Sequence, residues 1–283
     1  MIRKLVLAAF LAFATFIANA TQYTKGDSIK VVRLLKEAKE KRLTSRQECV
    51  QFFTRQFFGI PYVASTLEVN KKEQLIINLH QLDCTTYVEN VVALTLCASK
   101  GKSSFADFCH YLQLIRYRKG CAVSYPARLH YFTDWINDNV TAGICTDIKA
   151  PNPPFTSIQK IFVNFMSTHT DKYPMLHGNA KAIKEISKVE RNLNGKTYRY
   201  IPKAGINNSK LLRRTIHNGD IIVILTNKKG LDTQHLGFAQ WRSDGLHLVN
   251  ASSIHKKVVE EPMLLYTYLQ KHKSMTGIRI VRL

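Results

Sequence analysis

Apolar residues recur at helical spacing through the first part of the chain and gather into continuous or alternating runs in its last third. Ile29, Val31, Val32, Leu34 and Leu35 predict a helix running to about Arg42, with Asp27 as its cap. Thr44, with Gln47 three positions on, predicts the start of a second helix whose apolar face is Cys49, Val50, Phe52, Phe53, Phe57 and Phe58. Gly59 ends it and Pro61 prevents its resumption. A polar stretch over 65–72 precedes Leu75-Ile76-Ile77. Val91, Val92, Ala93, Leu94 and Leu96 then predict a buried helix that begins near Cys84, with Asp83 at its N-cap. Further helices are expected over 104–117, in the second half of 128–140, around 157–168 and over 180–192. Pro151, Pro153 and Pro154 mark a loop.

Past Gly195 the pattern changes. Residues 198–201 are strand-like, and Ile221-Ile222-Val223-Ile224-Leu225 is a continuous apolar run of buried-strand length. A strand from His235 to Trp241 is joined through Ser243-Asp244-Gly245 to another from Leu246 to Asn250, and 278–283 makes a last one. Helices in the first two-thirds, packed on an antiparallel sheet formed by the last third, define an α+β fold.

The N-terminus changes the picture first. Arg3 and Lys4 precede an uncharged apolar run from Leu5 to Ile17, and Ala18-Asn19-Ala20 follows as a small-x-small site. This is the pattern of a cleaved secretory signal peptide over 1–20. The apolar run is shorter than the roughly 20 residues needed to cross a bilayer. The expected mature chain is therefore a single domain over 21–283, periplasmic or secreted, without a membrane anchor. With 45% hydrophobic and 22% charged residues it can bury an ordinary core. A formal charge of +21 favours an anionic partner. The basic residues are scattered, however, and no basic-aromatic platform for stacking bases is present, which argues against nucleic acid. Six cysteines stand at 49, 84, 97, 109, 121 and 145, with no C-x-x-C spacing of the kind metal knuckles use. If one is a free catalytic thiol, at least one of the other five must also be unpaired, so the disulfide question stays open.

Cys84 is the first candidate for chemistry. At a helix start, exposed N–H groups and the helix dipole favour a thiolate and can later hold an oxyanion. His235 opens a strand whose other side carries Leu236 and Phe238, so its ring faces away from them. The return strand brings Asn250 alongside, giving a nucleophile, a base and an orienting group. His247 is a rival orienter, but three residues from Asn250 on a strand it faces the other side.

Asp83-Cys84-Thr85-Thr86-Tyr87-Val88, His235-Leu236-Gly237 and Val249-Asn250-Ala251 resemble the three motifs of NlpC-type cell-wall cysteine peptidases. The nearer resemblance is to the N-acetylmuramoyl-L-alanine amidase-like branch of that superfamily. Phe58-Gly59-Ile60-Pro61-Tyr62-Val63, the segment from Arg128 to Trp135, and Gly219-Asp220-Ile221-Ile222 through Gly230-Leu231-Asp232 to His235 suggest it. The resemblance spans about 27–283. It implies a papain-like, NlpC-type fold and a hydrolase without metal or cofactor, cutting the amide between muramic acid and L-alanine in peptidoglycan or muropeptides. Carried over, Cys84 is the nucleophile, His235 the general base and acid, and Asn250 the orienter where many relatives have histidine. Asn can still accept from the imidazole through its carbonyl oxygen, although it stabilises an imidazolium less than a carboxylate would. Asp83 is a helix cap that can double as a substrate ligand. Arg128, His130, Tyr131 and Asp134 form a polar-aromatic cluster suited to peptide or sugar recognition, and Tyr62 is a further candidate.

Three other readings compete. One is an endopeptidase cutting between D-glutamate and the diamino acid of the stem peptide. Another is a basic cell-wall-binding protein without catalysis, against which the intact Cys84, His235 and Asn250 argue. The third is a transferase using the same thioester.

Overall fold

The structure, a computed structural model, describes residues 21–283, so the leader expected over 1–20 lies outside the described residues. Strand β1 (Thr21–Gln22) leads into helix α1 (Lys25–Glu40). The cap of α1 is Thr24, not Asp27. Asp27 is the third residue of a capping box: its carboxylate accepts from Thr24 N at 2.9 Å while its own N–H bonds the Thr24 hydroxyl. Its second oxygen accepts from Leu79 N at 2.8 Å. Helix α2 (Arg46–Arg55) is capped by Ser45 with Glu48, one residue beyond the expected Thr44 and Gln47. Both pairs have the right spacing. A charged carboxylate in the first turn complements the helix dipole, and Glu48 accepts from both Ser45 N and Oγ.

Strand β2 (Leu75–Ile76) pairs in parallel with β1. Helix α3 (Cys84–Ser99) follows, capped by Asp83. Every residue of α3 from Thr86 to Cys97 is buried, as suits a helix apolar all round. Helices α1, α2 and α4 (Phe105–Arg116) pack around it. The buried carboxylate on this central helix is answered internally: Glu89 pairs with Arg116 of α4 at 2.7 Å, both side chains being 2% exposed. Helix α5 (Phe132–Thr141) completes the helical part.

Next come β3 (Thr146–Ile148), β4 (Ser157–Lys160), α6 (Phe165–Thr168), α7 (Ala180–Leu193) and β5 (Thr197–Pro202). The helix expected around 157–168 is thus a strand followed by a single helical turn. The β-branched Ile158, Ile161 and Val163 favour extended backbone, and β4 pairs antiparallel with β5 from Ser157↔Tyr200 to Lys160↔Thr197. Then follow α8 (Lys210–Thr215), β6 (Ile221–Thr226), β7 (Thr233–Trp241), β8 (Leu246–Ser252), β9 (Lys257–Glu260), α9 (Leu265–Lys271) and β10 (Met275–Arg282).

The fold is α+β. Its eight-stranded antiparallel sheet runs β4-β5-β10-β6-β7-β8-β9, with β3 also paired to β10. The last strand in sequence therefore lies inside the sheet, between β5 and β6. One sheet face, including Val223, Leu236, Phe238, Val249 and Val258, packs on α1–α5. The other, including Ile222, Ile224, Ala239, Leu248 and Ile280, packs on α9 through Leu265, Tyr268 and Leu269. Burial on both faces explains why β6 is uninterruptedly apolar. All six cysteines are free thiols.

Candidate active site

Cys84 is the first residue of α3 and is partly buried. Asp83 fixes the start of the helix: its Oδ1 accepts from Thr86 N and Thr86 Oγ1, both at 2.8 Å. One turn on, the Tyr87 ring packs edge-on against Phe57 at 5.9 Å and Phe238 of β7 at 5.4 Å. Its hydroxyl donates to Thr54 O at 2.9 Å. Residues three apart share a helix face, so the contact that seats Tyr87 on β7 also turns Cys84 toward that strand. There the backbone of Leu236 hydrogen-bonds the thiol.

His235 precedes Leu236 on β7 and is almost wholly buried. The β6–β7 ladder shifts register at this point: Ile224 faces His235 while Leu225 faces Thr233, so Gln234 is the extra residue of a bulge. Bulges re-aim the neighbouring side chain. Gln234 is itself pinned, accepting from Thr226 Oγ1 at 3.0 Å and Ser274 Oγ at 2.7 Å. On β8, fully buried Asn250 presents Oδ1 at 2.9 Å to His235 Nε2. Since an amide oxygen only accepts, Nε2 carries the proton and Nδ1 is left as the basic nitrogen. His247 is engaged elsewhere, with Glu261 O at 2.9 Å and Asp244 Oδ1 at 3.1 Å.

The electrostatics differ from the helix-dipole expectation. Burial, then the Asp83 carboxylate, push the Cys84 thiol up to about 12, against smaller help from hydrogen bonds by Leu236 and Thr85. Burial also lowers His235, only partly offset by the Asn250 bond. The resting groups are therefore a protonated thiol at Cys84 and a neutral imidazole at His235.

Comparison with known proteins fits this geometry into a family. A family model described as AmiA-like, N-acetylmuramoyl-L-alanine amidase-like, matches residues 52–278. The chain belongs to that amidase-like family. An N-acetylmuramoyl-L-alanine amidase from Bacteroides uniformis ATCC 8492 is similar in structure, with a TM-score of 0.78 and 37% identity over 84% of this chain and 98% of that one. A Bacteroides fragilis protein provisionally named a xylanase has a TM-score of 0.76 and 40% identity, over 82% of this chain and 99% of its own. Protein LPG0564 of Legionella pneumophila aligns with a TM-score of 0.70 and 25% identity, over 89% and 94%. No curated protein matches.

The remaining candidates of this amidase-like chain fall into two groups. Tyr62 and Asp83 lie beside the thiol: both Cys84 and Asp83 help burial to raise the Tyr62 hydroxyl. The Tyr62 loop is strapped down by Tyr62 N to Lys256 O at 2.9 Å and Val63 N to Leu82 O at 3.1 Å. Arg128, His130, Tyr131 and Asp134 have other partners. Arg128 pairs with Glu68 and lies 3.5 Å from Glu73. His130 Nε2 meets Tyr125 O at 2.8 Å, Tyr131 donates to Glu190 at 2.7 Å, and Asp134 pairs with Arg118 at 2.7 Å. These contacts hold the 66–73 loop, α7 and the end of α4 to the body of the protein.

Three groups near His235 were missed in the sequence. The Tyr268 ring on α9 lies 6.3 Å from the His235 ring, and the His272 ring lies 5.0 Å from that of Tyr268. Glu261, after β9, is 1% exposed and acts electrostatically on both Tyr268 and His235. They sit on the stretch between Asn250 and Ile278, which carries no motif and no clear periodicity. Among the described residues, no helix is long and apolar enough to cross a membrane.

Proposed function

We propose that this member of the amidase-like family is a cysteine hydrolase of papain-like, NlpC type that cleaves the amide between N-acetylmuramic acid and L-alanine in peptidoglycan or its fragments. The observation that carries the reading is a single constellation: a thiol at a helix start, next to a strand whose histidine is held through Nε2 by a buried asparagine. Cys84 Sγ attacks the lactyl carbonyl carbon while its proton passes to His235 Nδ1. The oxyanion is held by N–H groups at the start of α3. The C–N bond then breaks as Nδ1–H protonates the departing L-alanine amine, leaving a thioester on Sγ. A water gives its proton to Nδ1, adds to the thioester and releases the muramic carboxylate, and the proton returns to Sγ. General acid–base help of this kind is worth on the order of 10²–10⁴ in rate.

Tyr62 and Asp83, beside the thiol, are the groups we propose to meet the substrate. Arg128, His130, Tyr131 and Asp134 act through the framework they hold. A glycosidase reading, raised by one relative's name, needs two facing carboxylic acids at the reacting bond. Here Asp83 is spent on the α3 cap through Thr86, and Glu261 is held through Oε1 by His255. Cleavage after export is part of the proposal, because residues 1–20 have the form of a secretory leader.

The test is mass spectrometry of purified muropeptides after incubation with residues 21–283 and with Cys84→Ala. Free stem peptide and peptide-free disaccharide from the wild type alone support the amidase. A disaccharide-dipeptide with a shortened peptide means a cut between D-glutamate and the diamino acid. No product from either protein removes the hydrolase reading.

A further inference from the structure

The proposed mechanism puts a positive charge on a histidine that is almost wholly buried, and its hydrogen-bond partner, Asn250, is neutral. A buried imidazolium without an opposite charge is expensive. The groups around His235 show where compensation comes from. Asp83 and Cys84 stand at the start of α3, Tyr268 lies on α9, and His272 follows that helix. Of the two carboxylates that act on the ring, Asp83 spends Oδ1 on the helix cap. Glu261 is 1% exposed and uncommitted at one end: Oε1 meets His255 Nε2 at 3.1 Å, whereas Oε2 is buried without a hydrogen-bond partner. Its backbone cannot drift, because Glu261 N bonds Leu248 O at 2.7 Å and Glu261 O meets His247 Nδ1 at 2.9 Å. A carboxylate is rarely left this way in a core without a function or a strong compensating field.

We propose that Glu261 is the anionic positioning residue of this site, its fixed buried carboxylate balancing the charge that His235 takes up when Cys84 surrenders its proton. Paired opposite Leu248, two residues from Asn250 on β8, it supplies through space what a carboxylate in place of Asn250 would supply directly. His255, whose side chain is 34% exposed at the β8–β9 turn, holds Oε1 and so fixes the carboxylate's orientation. Burial depresses the proton affinity of His235, and Glu261 pulls it back up.

The proposal rests on the cysteine-hydrolase reading, but its first test needs no substrate. The His235 ring is titrated by NMR in Cys84→Ala, with and without Glu261→Gln. Loss of the charge is expected to lower the midpoint by on the order of half a unit to one unit, whereas Glu261→Asp keeps most of it. In the active enzyme, Glu261→Gln should move the acid limb of kcat/KM down by the same amount and cut its plateau by about three- to tenfold. An unmoved midpoint, or equal shifts in the Gln and Asp variants, overturns the proposal. If Glu261→Gln does not fold, His255→Arg places a permanent cation on Oε1 from an exposed turn and should lower the midpoint likewise. An unmoved midpoint there is equally fatal. A shifted midpoint in a protein that cleaves no muropeptide leaves the electrostatics standing and removes the hydrolase reading instead.

Discussion

Gly237 gives the sharpest quantitative test of how the sheet positions the site. It sits two residues after His235 on β7, and the Phe238↔Val249 pairing places it across from Asn250. A Cβ built there would lie 2.6 Å from the Val249 carbonyl oxygen and 2.7 Å from Leu248 Cδ1. The leucine can turn aside, but the carbonyl is backbone. Bringing that contact from 2.6 Å to an ordinary 3.4 Å requires β8 to retreat by about 0.8 Å. The His235–Asn250 bond, at 2.9 Å, spans the same two strands and would open to roughly 3.7 Å, beyond hydrogen-bond reach. Gly237→Ala should therefore injure catalysis more than folding. Overpacking costs about 1–3 kcal/mol, or roughly 3–10 °C in Tm for a chain of this size. Misplacing a catalytic group by this distance costs on the order of 10² in kcat/KM. Muropeptide turnover and a thermal melt read the two effects separately. A variant within about twofold of wild type in kcat/KM would refute the reasoning, because the hydrogen bond would then be either unbroken or irrelevant.

Other predictions follow from the same geometry. With its thiol pushed up to about 12, Cys84 should alkylate slowly at neutral pH, its rate climbing through the alkaline range. Peptide mass spectrometry after iodoacetamide treatment would show this, and a plateau already reached by about pH 8 would contradict it. His235 is lowered from the ordinary 6.5, and only the neutral ring accepts the thiol proton. The acid limb of kcat/KM should therefore lie below 6.5, activity surviving mild acid and failing as pH drops through the lowered value. A limb at or above 6.5 would mean the ring is less desolvated than its burial indicates. Glu89→Ala leaves Arg116 charged and unpaired in the core, and urea unfolding should show a loss of about 3–5 kcal/mol.

The candidate site was legible because its members lie in strongly constrained local patterns. Asp83 before an apolar helix reads as a cap, and a cap fixes where the next residue's thiol stands. Alternation along β7 and β8 likewise sets which side His235 and Asn250 occupy. Helix starts were less secure. Thr44–Gln47 and Ser45–Glu48 offer the same spacing one residue apart, and the choice turned on a charge next to a dipole. The strand Ser157–Lys160 was misread because an edge strand with Ile158 left 61% exposed shows no buried face to either period. Glu261, Tyr268 and His272 could not be found, since nothing local marks them. Tyr268 and His272 reach the site through the packing of α9 over the sheet, and Glu261 through its pairing with Leu248 on β8. The protonation state was also out of reach, because desolvation depends on the whole neighbourhood of Cys84 and not on its place in a helix.

The position of β10 sets an order in time. The strand made last among those described is the one that β5, β6 and β3 must all receive, with partners as distant in sequence as Thr146 and Arg282. Until it is available the sheet is split into β4–β5 and β6–β9, β3 has no partner strand, and β7 has only an incomplete sheet to lie on. A growing chain can form α1–α4 early, with Cys84 at the head of its helix, and still present no ordered His235 opposite it. On the proposed mechanism the capacity to cut is thus withheld until synthesis has passed Met275, and a ribosome-bound or truncated chain carries Cys84 without its histidine in place.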